Sequence, residues 1–381
     1  MPWSTRGCAM TDGTVTPAAP GRSLWADAWN RLKANKAAMV SLWYLLFMAV
    51  ICIVGPWFTP HDFTTIYQDY TRVPPSLTAY PKPDAIDLAV KDAVKRSRLD
   101  LVGWQERDGK VYISLASAKP IDERVTRYID RSDVFEGAQV SEKSADGLTL
   151  TISAGVQKKY FFFGTDNNGR DLLTRTLTAG RVSLAIGLLA GLVAVFIGVL
   201  YGAISGFAGG RTDEIMMRIV DVLYSLPFIF FVIMLVVFFG RNFVLMFLAV
   251  GAVLWLDMAR IVRGQALSLK RQEYVQAAEA LGVSPGGILL RHVVPNLLGP
   301  VVIYMTLLVP QVIILESFLS FLGLGVQEPM SSWGVLISQG AKNIPSATWL
   351  LIFPSFFLTT TLFALNFIGD GLRDALDPKD R

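Results

Sequence analysis

Charge is scarce in this chain. Asp, Glu, Lys and Arg make up 17% of its 381 residues, against roughly 25% in soluble domains. With 52% hydrophobic residues and a mean hydropathy of +0.44, the composition is that of a membrane protein. Cysteine is scarcer still. Cys8 stands in the N-terminal tail and Cys52 in the first apolar run, so neither a disulfide framework nor a cysteine metal site can be drawn. Cys52 reads as a small buried hydrophobe. The two histidines, His61 and His292, fall on opposite sides of the membrane in the topology derived below and cannot share a site. The motif HExxH is missing, which removes the common zinc-protease chemistry. The phosphate cradle GxxxxGK[ST] is missing too: Gly109-Lys110 is followed by Val111. No cofactor is expected on this chain, no catalysis, and any energy from ATP must enter through a partner.

Long apolar runs are what the chain has instead. Residues 37–58 hold no charge and suffice to cross about 30 Å of hydrocarbon. They follow a polar tail, 1–36, whose first twenty or so residues read as disordered. Trp25, Trp29 and Leu32 recur there at helical spacing among Arg31, Lys33 and Lys36, the pattern of an interfacial amphipathic helix. Further spans are expected at 182–207, 219–239 (interrupted by Pro227), 243–262, 297–322 (with Pro300 and Pro310) and 348–368. A polar loop is expected at 209–218 and another loop at 323–347. Gly187, Gly191, Gly198, Gly202 and Gly206 make one small-residue face on the second span, against which another helix can approach closely.

Residues 59–181 differ in character. They are rich in charge of both signs and hold no run of spanning length. Ile86, Val90 and Val94 predict a helix over 84–96 with Asp84 as its cap. Residues 102–115 read as a hairpin turned at Asp108-Gly109, and Leu148, Leu150 and Ile152 as a half-buried strand. The stretch 163–175 reads as an Asx turn leading into an interfacial helix. The fold class expected is an all-α membrane protein of six transmembrane helices, with a small α+β extracytoplasmic insertion between the first two. The divisions are a tail at 1–36, a span at 37–58, an outer segment at 59–181 and a permease core at 182–381, which includes a cytoplasmic loop at 264–296.

Six spans put both termini on one side. Short loops on that side carry fifteen Lys and Arg, against two, Arg241 and Lys342, on the other. The long 59–181 segment is left out because such domains translocate regardless of charge. The positive-inside rule then places both termini and the 264–296 loop in the cytoplasm.

That loop holds the most informative stretch, 273–296. Tyr274, Ala277, Ala278 and Leu281 fall on one face of a short helix. Gly282 stands at its C-terminal end, where a left-handed residue is wanted. Ser284 can cap a second helix with Pro285 at its first position, and that helix is expected to close before Pro295. The register resembles the EAA loop of ABC-importer permeases: Gln276, Ala277 and Ala278, then Gly282, then His292, Val294 and Pro295. Gln276 stands in place of the acid and His292 in place of an isoleucine. Residues 316–334 and 369–378 resemble C-type subunits of peptide and nickel importers, and 163–175 resembles the segment before the family's second span. Residues 70–155 lie outside the resemblance.

The resemblance implies a permease of the inner bacterial membrane for oligopeptides or dipeptides. It implies a heterodimer with a second permease, two ATP-binding subunits that receive the 273–296 loop, and an extracytoplasmic substrate-binding protein. By spacing alone the loop could be an inert connector, or a DNA-binding helix–turn–helix. Only a few residues separate it from membrane on either side, which excludes a nucleic-acid partner. Intramembrane charge is costly. Asp221 and Asp257 are expected to pair with Arg218 and Arg260 or to reach water. Glu316 could tie helices together, face the pathway or receive a peptide's amino group; the tie is the expectation. Two rivals come from other classes: an ion-coupled secondary transporter, for which Glu316 would be the carrier, and a receptor sensing through 59–181. The latter should have a cytoplasmic output domain.

Overall fold

The computed structural model describes residues 24–240 and 243–376. The expectations for the first twenty residues and the end of the tail lie outside the described residues, as does the Trp25 side chain. Two helices open the described chain, α1 (Leu24–Ala34) and α2 (Lys36–Val54). Asn35 separates them and caps α2 by accepting from the Ala38 N–H at 3.2 Å. The inward face of α1 is Ala28 and Leu32, packed against Ala375 near the C-terminal end of the chain, while Trp29 stands exposed under Lys33. Leu32 and Trp29 therefore point in different directions rather than sharing the lipid-facing stripe expected of them.

The next elements form a sheet unit. They are α3 (Pro83–Ser97), β1 (Asp100–Arg107), β2 (Lys110–Ala116), α4 (Thr126–Asp130), β3 (Phe135–Lys143) and β4 (Thr149–Val156). The strands are antiparallel in the order β1-β2-β4-β3. Asp108 and Gly109 both take positive φ at the first turn, the I′ geometry that matches strand twist. Alternation puts Val111, Ile113 and Leu115 of β2 and Leu150, Ile152 and Ala154 of β4 on one face. Ile86, Val90, Ala93 and Val94 of α3 join the same core. Asp84 is not the cap of α3: the helix begins a residue earlier, at Pro83, and its cap position is Lys82.

The remaining chain is helical: α5 (Leu172–Ala208), α6 (Gly210–Ser225), α7 (Phe228–Phe239), α8 (Phe243–Lys270), α9 (Glu273–Ala280), α10 (Pro285–Ile288), α11 (Val294–Phe321), α12 (Trp333–Ala341) and α13 (Trp349–Leu376). Asp171 caps α5 through the Thr174 N–H at 2.8 Å, so the helix expected at the interface runs without a break into the span. Arg181 ties α5 to α2, its Nε donating to the Cys52 carbonyl at 2.7 Å. The expected polar loop at 209–218 is the start of α6. The third span is not straight. Pro227 holds Leu226 extended, and α6 and α7 bend by 86°. Among the described residues, four helices are long and apolar enough to cross a membrane: Lys36–Trp57, Leu172–Ala208, Pro285–Phe321 and Trp349–Leu376. There are up to five if the bent pair is one span. The fold is mostly helical, with several helices apolar and long enough to cross a membrane.

The glycines of α5 serve two neighbours. A Cβ on Gly187 would meet Ile313 of α11 at 2.9 Å, and Gly191 faces Val309 of α11. A Cβ on Gly198 would meet Met258 of α8 at 2.6 Å, one on Gly206 the Arg263 carbonyl of α8 at 2.6 Å, and Gly202 lies against the Ala259 carbonyl. Lipid offers no hydrophobic driving force for helix association, so such close backbone approach supplies the contact.

Candidate coupling surface and the polar ties behind it

The 273–296 stretch folds into a corner between α8 and α11. Val275 and Ala278 of α9, three residues apart, are its buried pair, packed with Ile288, Val293 and Val262. Tyr274, Gln276, Ala277 and Leu281 are exposed. Ala278 is thus covered by its own chain and is not available to a docked partner, whereas Leu281 is 83% exposed. Of the face read from the sequence, Tyr274, Ala277 and Leu281 point outward and Ala278 inward, because tertiary packing takes Val275 and Ala278 into the core. Gln276 reaches the Arg271 carbonyl at 3.4 Å, and the half-buried His292 tilts beside Tyr274 with ring centroids 6.4 Å apart.

Gly282 has φ +78°, and a Cβ there would meet nothing within 4 Å. The demand for glycine is conformational, not spatial. The Ser284 Oγ then accepts from the Gly287 N–H at 3.3 Å, and Pro285 opens α10. The second helix does not close before Pro295. Residues Leu289–Val293 widen into a π turn, and Pro295 follows directly after it, in the first turn of α11. The result is one rod from Pro285 to Phe321, about 55 Å long at 1.5 Å per residue. Leu281, Val283 and Leu290 stand exposed at its lower end.

Polar ties connect this corner to the other helices. Asp213 of α6, nearly buried, accepts from Arg263 of α8 at 2.6 and 2.5 Å and from Ser205 of α5 at 2.6 Å. Arg260 reaches Asp221 at 2.8 Å and lies over the Tyr224 ring. Asp221 therefore pairs with Arg260 rather than with Arg218. The half-buried Asp257 has no polar partner among the described residues. Asp213 escapes sequence reasoning because it sits in an apparent loop.

The opposite end of the rod is tied as well. Glu316 is fully buried, and its Oε1 accepts from Ser320 and from Ser332, each at 2.6 Å. Ser332 caps α12, so Glu316 fastens the start of α12 to α11. Trp333 completes the joint, its Nε1 donating to the Thr176 carbonyl at 2.9 Å and its N–H to Ser183 at 3.0 Å. Nearby, the Asp166 carboxylate takes Arg170 at 2.9 Å together with the buried Arg175, and Arg170 reaches Glu328 at 2.7 Å. Burial works against charge on Arg170, but Glu328 and Asp166 outweigh it and hold its pKa above the ordinary value. Arg170 in turn holds Glu328 below the usual glutamate value. The stretch 163–175 is thus more than a turn. It clamps the loop before α12.

The profile of binding-protein-dependent transport system inner membrane components matches residues 198–381. That of the N-terminal transmembrane domain of oligopeptide transport permease C matches residues 23–75. The oligopeptide transport system permease protein OppC of Haemophilus influenzae is 46% identical over 361 residues, 95% of this chain and 90% of that one. The chain belongs to this permease family. OppC of Escherichia coli K12 is 62% identical over 232 residues, 61% of this chain and 77% of its own. The dipeptide transport system permease protein DppC of Bacillus subtilis is 37% identical over 363 residues, 95% and 88% of the two chains. The resemblance seen at 273–296, 316–334 and 369–378 is borne out, and the chain is a C-type permease of an ABC importer. Permeases of this kind are transport components and not enzymes.

Proposed function

We propose that this permease forms half of a transmembrane pathway for oligopeptides or dipeptides and couples it to ATP hydrolysis on separate subunits. The assembly is a heterodimer with a second permease, two ATP-binding subunits and an extracytoplasmic substrate-binding protein; ATP acts through those subunits and not on this chain. The six spans are α2, α5, the α6–α7 pair, α8, the Pro285–Phe321 rod and α13. Both termini lie in the cytoplasm and the 59–181 segment lies outside, with 1–36 and 264–296 on the inner face and 182–381 as the core.

The observation that carries the proposal is the corner at Gly282. It exposes Tyr274, Ala277 and Leu281 on a surface braced by Val275 and continuous with a rod whose far end is tied through Glu316 to α12. Gln276 and Pro295 flank that surface, and His292 supports Tyr274. Closure of the ATPase pair would push the corner, and a stiff rod would carry the displacement to the outer joint, exchanging inward and outward access. In proteoliposomes holding the whole assembly, trialanine uptake should require both ATP and the binding protein. Uptake that survives without ATP and collapses with the proton gradient would contradict this. A cytoplasm-active reporter inserted at Ser284 should be active and one at Lys110 silent; activity at Lys110 would overturn the orientation.

A further inference from the structure

The outward faces of the long helices are mostly apolar. Val40, Trp43, Phe47 and Val50 stand exposed on α2, and Leu188, Leu192, Phe196 and Ile204 on α5. Such stripes suit acyl chains. The rod breaks the pattern. Phe321, Phe318 and Ile314 are exposed along α11, and one turn further the same face presents Gln311, also exposed. Its carboxamide has no hydrogen-bond partner among the described residues. Two polar side chains on these helices answer instead to their own backbone: Asn366 donates to the Leu362 carbonyl at 2.9 Å and Ser317 to the Ile313 carbonyl at 2.8 Å.

Depth sharpens the contrast. At 1.5 Å per residue, Gln311 lies about 15 Å from the end of α11 at Phe321, near the middle of a hydrocarbon layer about 30 Å thick. Acyl chains offer neither donor nor acceptor there. The face that bears Gln311 therefore meets water, a polar ligand or another chain.

We propose that Gln311 lines the pathway and hydrogen-bonds the main chain of the passing peptide. A carboxamide carries one carbonyl acceptor and an NH2 donor, the same pair that every peptide unit except proline presents. It can match a peptide whatever its sequence, where a charged residue would select among side chains. Ile314 and Phe318 beside it add apolar contact without favouring either charge. Side chains on a helix lean towards its N-terminus, so the carboxamide is offered to the inner half of the pathway. The inference rests on the peptide substrate proposed above.

The test uses Gln311→Cys in a chain carrying Cys8→Ser and Cys52→Ala, assembled with its partner subunits in proteoliposomes. A membrane-impermeant maleimide should label position 311 in at least one nucleotide state, and excess trialanine should slow that labelling. Labelling only by a lipid-partitioning maleimide would put the residue against lipid and overturn the proposal. No labelling by either reagent in any state would place it under the second permease and overturn the proposal equally. Aqueous labelling that trialanine leaves unchanged would overturn the main-chain contact. Trialanine uptake by the parental assembly, measured alongside, reports separately on the peptide reading itself. Gln311→Leu should lower uptake per ATP hydrolysed by about two- to tenfold, the loss of one neutral hydrogen bond, with Gln311→Asn restoring part of it and assembly unchanged in both. Equal uptake in Gln311→Leu and the parent would also contradict it.

Discussion

The sheet unit and the helical region solve the same packing problem with opposite means. In the sheet unit, large apolar side chains such as Ile113, Leu150 and Ile152 are fully buried around α3. Between α5 and α8 the contact is made by Gly198, Gly202 and Gly206, where a Cβ would strike backbone or Met258. The difference follows from the solvent. Water drives apolar burial at roughly 25 cal/mol per Å², whereas lipid gives helices nothing comparable and leaves close approach and polar ties to hold them.

That contrast can be broken at either end. Ile152→Ala should destabilise the sheet unit by about 2–5 kcal/mol while the helices remain in the membrane. Hydrogen exchange on the whole assembly should show lost protection in the sheet unit alone. Gly202→Leu should do the reverse. Overpacking a well-fitted contact costs about 1–3 kcal/mol or more, so α5 and α8 should lose protection and the sheet unit keep it. Equal spread of either effect through both regions would mean that they fold as one unit.

The smallest effect lies at the seam between them. His61 Nε2 donates to the Tyr160 carbonyl at 3.1 Å, which leaves Nδ1 to accept from the Tyr67 hydroxyl at 3.0 Å. Burial pushes its pKa down, with Lys159 adding to this and Asp171 and the Tyr160 carbonyl opposing it. The neutral ring therefore contributes stability above the ordinary histidine value of about 6.5, and that contribution is lost as pH falls through the lowered native value. Exchange protection around residues 61–70 and 159–163 should weaken on acidification, and His61→Gln should flatten the dependence. Protection that rises on acidification would reverse the sign.

How much of this is legible in the sequence depends on range. The hairpin at Asp108-Gly109, the strand at Leu150 and Ile152, and the glycine corner at Gly282 are local signals, and each can be read directly. β3 escapes because two register shifts against β4 erase its alternation. α6 reads as a loop because Arg211, Asp213, Glu214 and Arg218 look solvated. In the fold, Asp213 turns inward to Arg263 and Ser205, partners some fifty and eight residues away. α12 hides in a Gly- and Ser-rich segment whose cap, Ser332, is recognised only through Glu316. Continuity through Pro295 requires a π turn that no spacing rule announces. At the candidate coupling surface, the motif locates the corner, while the choice of Val275 as the inward residue beside Ala278 comes from packing against Ile288 and Val293.

The central claim is that the corner at Gly282 transmits closure of the ATPases. Gly282→Leu tests it most directly. The added side chain enters open space, so the change acts through the left-handed backbone, at a cost of about 1–2 kcal/mol, and through bulk at the exposed surface. Insertion and assembly should survive. With ATP turnover and trialanine uptake measured in the same vesicles, the account predicts that turnover persists while uptake per ATP falls several-fold. Parental values for both would show that the corner is only a connector and would contradict the account.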